Sequence, residues 1–418
     1  MFKVYFKQAI QMLKQNRFIS IISIAGTALA IMMIMTIVVI HGMKTLSVDP
    51  EPHRNRSLYI EYYALRNKER QSVNMNPLTE GRVQDLSSLE TPEMLSFFTP
   101  FYADDTTPVQ AEGSNDFHLV YRRGTDDRYW KLFSFGFLEG RPYTYEEFHS
   151  GVPVTVLTES LAKKLYGNAS AVGKTIVSEF KPYRVIGVVR DVSRVFSNAF
   201  GDFWVPYTTD DSGYKVAILA KNREDFPAII EEVRQREEKF NVERAPEELR
   251  YTGPFTQQQQ RVELSYIDEE GNEKAIKAFN RKQVFILLVL LLIPALNLSG
   301  FSLSRVKKRM SEIGIRKAFG AKKVTILTQI LYENLITSLI GGLIGLGLSY
   351  LVLLNFRHWL LGVPPGEAVP LSVLVSPITW LAVFLVCFLM NLLSAGLPAW
   401  RAARMTIIHS INQNEKSL

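Results

Sequence analysis

Four long stretches of this chain, Phe18–Met43, Gln283–Ser304, Asn334–Phe356 and Ala368–Trp400, contain no Asp, Glu, Lys or Arg. Each holds about 20 apolar residues, and at a rise of about 1.5 Å per residue such a helix crosses a hydrocarbon layer of about 30 Å. The buried helix of a soluble protein can pass that test once. Four such runs, with no acidic residue before Asp49, point to an integral membrane protein. Composition closes other routes. With 47% hydrophobic and 11% aromatic residues the chain can bury a core, which excludes intrinsic disorder. Cys387 is the single cysteine, so a disulfide scaffold and a cysteine-rich zinc site are both excluded; it reads as a small packing residue. The histidines at 41, 53, 118, 149, 358 and 409 are scattered. No metal or cofactor is expected.

The formal charge of +7 is unevenly placed. Residues 42–282 hold 32 Lys+Arg and 37 Asp+Glu, leaving 16 basic and 4 acidic residues for the segments around the apolar runs. The basic surplus therefore flanks a membrane, and no nucleic-acid partner is expected. Lys3, Lys7, Lys14 and Arg17 precede the first run. Arg305, Lys307, Lys308, Arg309, Arg316, Lys317, Lys322 and Lys323 lie between the second and third, against Glu312 alone. The positive-inside rule puts these segments and both termini in the cytoplasm. The expected layout is a cytoplasmic segment 1–17, a first span 18–42, an extracytoplasmic domain 43–282 and a second span 283–304. A cytoplasmic loop 305–323, a third span 324–356, an outer loop 357–376, a fourth span 377–399 and a tail 400–418 follow. Lys274, Lys277, Arg281 and Lys282 stand on the outer side of the second span, where long translocated domains escape the rule.

A cleavable signal peptide is the rival for the N-terminus, since Ala28-Leu29-Ala30 resembles a cleavage site. The apolar stretch continues to Ile40, too long for an ordinary signal core, and favours a retained anchor. Lys3–Lys14 alternates like an amphipathic helix and suits the inner leaflet, basic side toward anionic lipid.

The 43–282 segment reads as mixed α/β. Val152–Leu157 predicts a strand, Glu159–Tyr166 a helix ending at Gly167, and Thr175–Val177 with Tyr183–Val189 a strand pair turning near Lys181-Pro182. Lys215–Ala220 predicts a strand and Asp225–Phe240 a helix packed through Phe226, Ile229, Ile230 and Val233. Residues 66–115 carry no clear pattern. Glu273–Phe279 is expected to extend the second span outward as a stalk.

Catalytic signals are weak. Gly167-Asn-Ala-Ser-Ala-Val-Gly173-Lys174-Thr175 looks like a phosphate loop but has five residues between its glycines, not four, and runs helix–loop–strand. It is expected to be a structural turn. Asp104-Asp105, Asp126-Asp127 and Asp210-Asp211 read as solvated loop residues. No metalloprotease, nucleophile-elbow or paired-cysteine motif is present, so a membrane-anchored enzyme is disfavoured.

The segment Glu312-Ile313-Gly314-Ile315-Arg316-Lys317-Ala318-Phe319-Gly320 differs from a plain topogenic loop. Positive charge alone would orient the chain; the apolar Ile313, Ile315, Ala318 and Phe319 suit a helix that enters a groove on another protein, with Gly320 as its stop. In the third span Gly341, Gly342 and Gly345 include a GxxxG spacing, which lets helix backbones approach closely, within the chain or between chains. Glu333 and Asn334 stand at that span's inner end, and Pro294 predicts a kink in the second.

One span, a large outer domain and three further spans resemble the MacB/FtsX-like permeases of ABC transporters, the type VII mechanotransmission group. Glu312–Ala321 looks like that family's signature after the second span. Phe135–Pro142, Ala162–Gly167, Val172–Ile176 and Tyr183–Asp191 resemble the MacB-like periplasmic core. The resemblance covers nearly the whole chain, and none of its quoted motifs falls in residues 50–115. It implies an α-helical membrane protein with four transmembrane helices (1+3) and a large α/β extracytoplasmic MacB-like domain, in a bacterial inner membrane. It further implies that 305–323 is a coupling helix seated on a separate ABC ATPase, the chain itself being non-catalytic. Two permease chains are expected, as a homodimer or with a paralogue, together with a periplasmic adaptor or outer-membrane partner. The substrate would be an antimicrobial peptide, macrolide or lipoprotein; the alternative is an envelope sensor regulating a peptide response or a cell-wall hydrolase.

Overall fold

The structure is a computed structural model that describes residues 17–45, 47–67, 69, 72–102, 104–209, 213–262, 271–286, 288, 289, 292, 315, 318–320 and 322–361, with single positions between 381 and 400. They divide into two units. One lies within Met43–Phe279; the other lies within Met1–Gly42, Asn280–Gly362 and Pro370–Leu418.

Helix α1 (Arg17–Thr45) opens the described chain and has no charged residue between Arg17 and Lys44. Next come β1 (Ser57–Ile60), β2 (Tyr62–Asn67), β3 (Ser72–Pro77), α2 (Glu80–Ser87) and β4 (Met94–Phe98). β5 (Thr107–Ala111), β6 (Phe117–Val120), β7 (Arg122–Thr125), α3 (Tyr129–Leu132), β8 (Phe137–Gly140) and α4 (Tyr145–His149) follow. The second half holds β9 (Val154–Thr158), α5 (Glu159–Tyr166), β10 (Thr175–Ser178), β11 (Lys181–Val189) and β12 (Phe203–Pro206). β13 (Lys215–Leu219), α6 (Phe226–Glu243), β14 (Glu247–Tyr251) and β15 (Phe255–Thr256) complete the unit.

The main sheet runs β15-β1-β13-β4-β7-β12-β9-β11-β10-β5-β6, with β8 attached to β11. β7–β12 and β9–β11 are parallel. A second sheet has the order β14-β2-β3. Two cores fill this unit. Leu58, Ile60, Leu95, Val216 and Ile218 face α2 and α6 in the first. Val109, Leu157, Val185, Phe203 and Val205 pack on Leu161 and Ala162 of α5 in the second.

Local chemistry explains the segments that could be read in advance. β9 is apolar or β-branched throughout and buried on both faces, as a central strand must be. In α5 the Thr158 hydroxyl caps the N-terminus by accepting from Leu161 N, and Gly167 ends the helix at φ +63°, a conformation glycine adopts without strain. The β10–β11 turn falls at Glu179-Phe180, not at Lys181-Pro182, because β11 already pairs from Lys181. In α6 only Ile229 and Val233 of the four predicted packing positions are fully buried; Ile230 is exposed. The unassigned 66–115 region contains β3, α2, β4 and β5.

Residues 271–286 are helical and carry the stretch expected as a stalk. Helix α7 (Lys323–Leu361) is the longest element with both ends among the described residues. It passes the expected end of the third span at 356 because Arg357-His358-Trp359 contain no helix breaker; Gly362 and Pro364 come later. Among the described residues two helices are long and apolar enough to cross a membrane, over Ser20–Gly42 and Val324–Phe356. The expected second and fourth spans lie largely outside the described residues.

Candidate functional site

Three places carry the chemistry that bears on function. The first is the basic segment ahead of α7. Glu312, Ile313, Gly314, Arg316 and Lys317 lie outside the described residues. Ile315 and Ala318 are helical, and Phe319 N donates to Ile315 O over 3.1 Å. Ile315 is exposed and Phe319 is 88% exposed. Four residues apart on a helical turn, they share a face. Gly320 then stops the turn at φ +87°, and α7 begins three residues later.

The second place is the seam between α1 and α7. A Cβ built on Gly341 would stand 2.7 Å from Thr27 Cβ, and one on Gly345 would stand 2.5 Å from the Ala28 carbonyl oxygen. Both glycines therefore let the two helices approach to backbone contact within one chain. Gly342 is buried. Thr27, Ile31 and Met35 of α1 and Thr337, Ser338 and Ser349 of α7 are buried. Ser349 Oγ donates to Leu346 O and Thr36 Oγ1 to Met32 O, so these hydroxyls are satisfied inside their own helices.

The third place, in the outer unit, was not visible in the sequence. Glu51 and Arg54 are a fully buried ion pair, each side chain 1% exposed, with Arg54 Nε 2.6 Å from Glu51 Oε2. Gln257 Nε2 donates to Glu51 Oε2 over 3.0 Å, and the backbone N–H groups of Asn198 and Ala199 donate to Oε1 over 3.1 and 3.2 Å. The Arg54 guanidinium also lies 4.8 Å from the Phe196 ring centre. One carboxylate thus joins the segment after α1, the strand end at Gln257 and the loop that leads into β12. Arg54 stands only three residues on, but Asn198, Ala199 and Gln257 are 147, 148 and 206 residues away, so no spacing pattern hints at the cluster.

Asp126 corrects an expectation. It is buried, not a solvated loop residue, and accepts at 2.8 Å from Ser96 Oγ, Phe97 N and Tyr129 N. Burial pushes its carboxyl up to about 7 from the ordinary 3.8, while these donors pull it down. The folded value exceeds the unfolded one, so its contribution to stability is complete below the ordinary value and is lost as pH rises through about 7. Thermal melts should show Asp126→Asn gaining on the wild type between about pH 5 and about pH 8. A constant gap across that window would refute the assignment.

The Gly167–Thr175 loop is a structural turn. Gly173 N donates to Val185 O, Lys174 N to Ala171 O, and Lys174 Nζ sits 4.4 Å from the Tyr166 ring centre. The Gly173 and Lys174 amides and the Lys174 ammonium are thus directed to the chain itself. Among the described residues no cluster of His, Cys, Asp and Glu could hold a metal ion.

Comparison with known proteins completes the picture. Residues 20–236 match the MacB-like periplasmic core domain, and residues 284–407 match the FtsX-like permease C-terminal domain. The chain is 26% identical over 294 residues to the ABC transporter permease YknZ of Bacillus subtilis, covering 69% of this chain and 68% of that protein. It is 26% identical over 326 residues to the macrolide export ATP-binding/permease protein MacB of Chromobacterium violaceum, covering 74% of this chain and 47% of that one. The chain thus spans less than half the length of that MacB. The solved extracellular domain of a YknZ from Gram-positive bacteria aligns at 17% identity and a TM-score of 0.36, over 47% of this chain and 100% of that domain. With both domains matched, and the first over more than half of its length, this chain belongs to the MacB/FtsX-like family of ABC transporter permeases.

Proposed function

We propose that this chain is the non-catalytic membrane subunit of its transporter, and that it couples ATP hydrolysis on a separate ATPase to movement of its extracytoplasmic domain. The observation that carries this reading is the exposed pair Ile315 and Phe319 in a strongly basic segment. Such a face, uncovered on its own chain, suits a groove on a partner, where an aromatic anchor supplies much of the affinity. Both termini and 305–323 face the cytoplasm in this reading, and α7 carries motion from the docked segment to its glycine seam with α1. Two permease chains and two ATPase subunits form the working unit in the bacterial inner membrane. It acts on an envelope substrate, with an adaptor or outer-membrane protein as a further partner.

Phe319→Ala is expected to weaken association with the ATPase at least about 30-fold, the equivalent of about 2 kcal/mol for a central aromatic. Arg316→Glu and Gly314→Trp should uncouple hydrolysis from outer-domain motion while the protein still inserts in the membrane. Affinity purification from mild detergent, with the ATPase quantified, reads the first effect. Wild-type recovery of the ATPase with all three variants would eliminate this docking assignment.

A further inference from the structure

β3 is held on one side only. It is the end strand of the β14-β2-β3 sheet, and among the described residues no strand pairs with its other edge. Ser72, Asn74, Met75 and Pro77 are exposed and Val73 and Asn76 half-buried, so both faces of the strand meet solvent. The register sets Tyr62 against Pro77, Tyr63 against Asn76, Ala64 against Met75 and Leu65 against Asn74. Proline has no N–H, so Tyr62–Pro77 is a non-hydrogen-bonded pair, and antiparallel alternation makes Tyr63–Asn76 and Leu65–Asn74 the bonded ones.

The other side of β2 gives the same assignment independently. Tyr62 O accepts from Thr252 N, so Tyr62 bonds toward β14. Leu249 N and Tyr251 N, opposite Leu65 and Tyr63, donate instead to Asn241 Oδ1 and Glu237 Oε1. Leu65 and Tyr63 therefore bond toward β3. By elimination, the N–H and C=O groups of Val73 and Met75 point off the sheet.

We infer that this edge is an interface with a second copy of the chain, whose own β3 adds antiparallel across a two-fold axis through Asn74. The outward backbone groups set the register. Val73 exchanges hydrogen bonds with the partner's Met75, and Asn74 faces the partner's Asn74 in a non-hydrogen-bonded pair. The same register puts Ser72 opposite the partner's Asn76. Apolar side chains then meet apolar ones on one face and amides meet amides and a hydroxyl on the other. Sheet edges are normally kept apart by charge. β3, Ser-Val-Asn-Met-Asn-Pro, carries none, so a copy of itself meets no repulsion. A short ladder is weak alone, but two chains held in one transporter supply it with high effective concentration. This deepens the two-chain reading above and does not depend on the ATPase.

The test uses full-length protein in membranes with Cys387→Ser as background. A non-hydrogen-bonded antiparallel pair brings Cα atoms to about 4.5 Å, within disulfide range. Mild oxidation should convert most Asn74→Cys chains to a disulfide-linked homodimer, at least about ten times more than Ser72→Cys or Asn76→Cys, whose self-distances are about four residues longer. Adding Met75→Pro removes an outward N–H and the Met75 side chain but none of the N–H groups that bond to β2. It should abolish the cross-link while leaving the thermal melt unchanged, whereas Asn74→Pro would break the β2 ladder. A dimer by native mass without selective cross-linking at 74 overturns the inference and leaves the two-chain reading standing. A monomer by native mass overturns both, and a cross-link only to a different protein assigns the edge to that partner and overturns the self-pairing.

Discussion

Gly345→Leu is expected to lower the thermal stability of the detergent-solubilised protein markedly, while Gly347→Leu on the same helix is tolerated or stabilising. At Gly345 the first side-chain carbon would lie 2.5 Å from the Ala28 carbonyl oxygen and 3.1 Å from Ile31 Cβ and Met32 N. Two of these three are backbone atoms of α1, which cannot rotate away, so the helices must separate and surrender the contacts along the seam. Overpacking of this kind costs about 1–3 kcal/mol. Gly347 has nothing within 4 Å of its built Cβ, and replacing a mid-helix glycine by a better helix former gains up to about 1 kcal/mol. Gly341→Leu, 2.7 Å from Thr27 Cβ and 3.2 Å from Ile24 O, should follow Gly345. Melting the three variants side by side decides the matter; indistinguishable midpoints would mean that α1 and α7 are not seated on these glycines.

Glu51→Gln should be the most damaging single change in the outer unit. It removes the carboxylate charge that faces the buried Arg54 guanidinium, 1% exposed, and an amide can present only one acceptor oxygen where the carboxylate serves four donors. Removing one partner of a buried ion pair costs about 3–5 kcal/mol. The pair itself is not expected to be worth that much, because burying both charges is costly. Replacing both residues by apolar ones, as in Glu51→Leu with Arg54→Met, should therefore recover a large part of the loss. Denaturant unfolding of the two single variants and the double variant gives the coupling directly. A double variant as unstable as the sum of the singles would show that the two charges act independently.

Wherever neighbours along the chain decide the outcome, the residues could be read directly. The apolar runs underlying α1 and α7, the strand β9 and helix α5 with its Thr158 cap and Gly167 stop are such cases. Their physics is periodicity and capping within one element. Reading failed where partners are distant. Asp126 stands in an acidic doublet that resembles a solvated turn, yet the strand β4 covers it with Ser96 and Phe97. Glu51 resembles any acid following a span. The 66–115 region carries no alternation because β3 is exposed on both faces and β4 is buried nearly throughout, so neither shows a one-sided pattern. The docking segment was legible as chemistry, basic with an apolar face and a terminal glycine, and the described part of it keeps Ile315 and Phe319 exposed.

By itself the sequence determined that this chain meets a membrane, which segments are basic, that its large intervening domain is α/β and which permease family it resembles. These follow from composition and local pattern, which act on each segment separately. Tertiary structure alone decided that Gly341 and Gly345 lie against Thr27 and Ala28, that Glu51 gathers Asn198, Ala199 and Gln257, and that the outward backbone of β3 belongs to Val73 and Met75. Each depends on which distant segments come to lie side by side, and sheet order and helix pairing are properties of the whole fold.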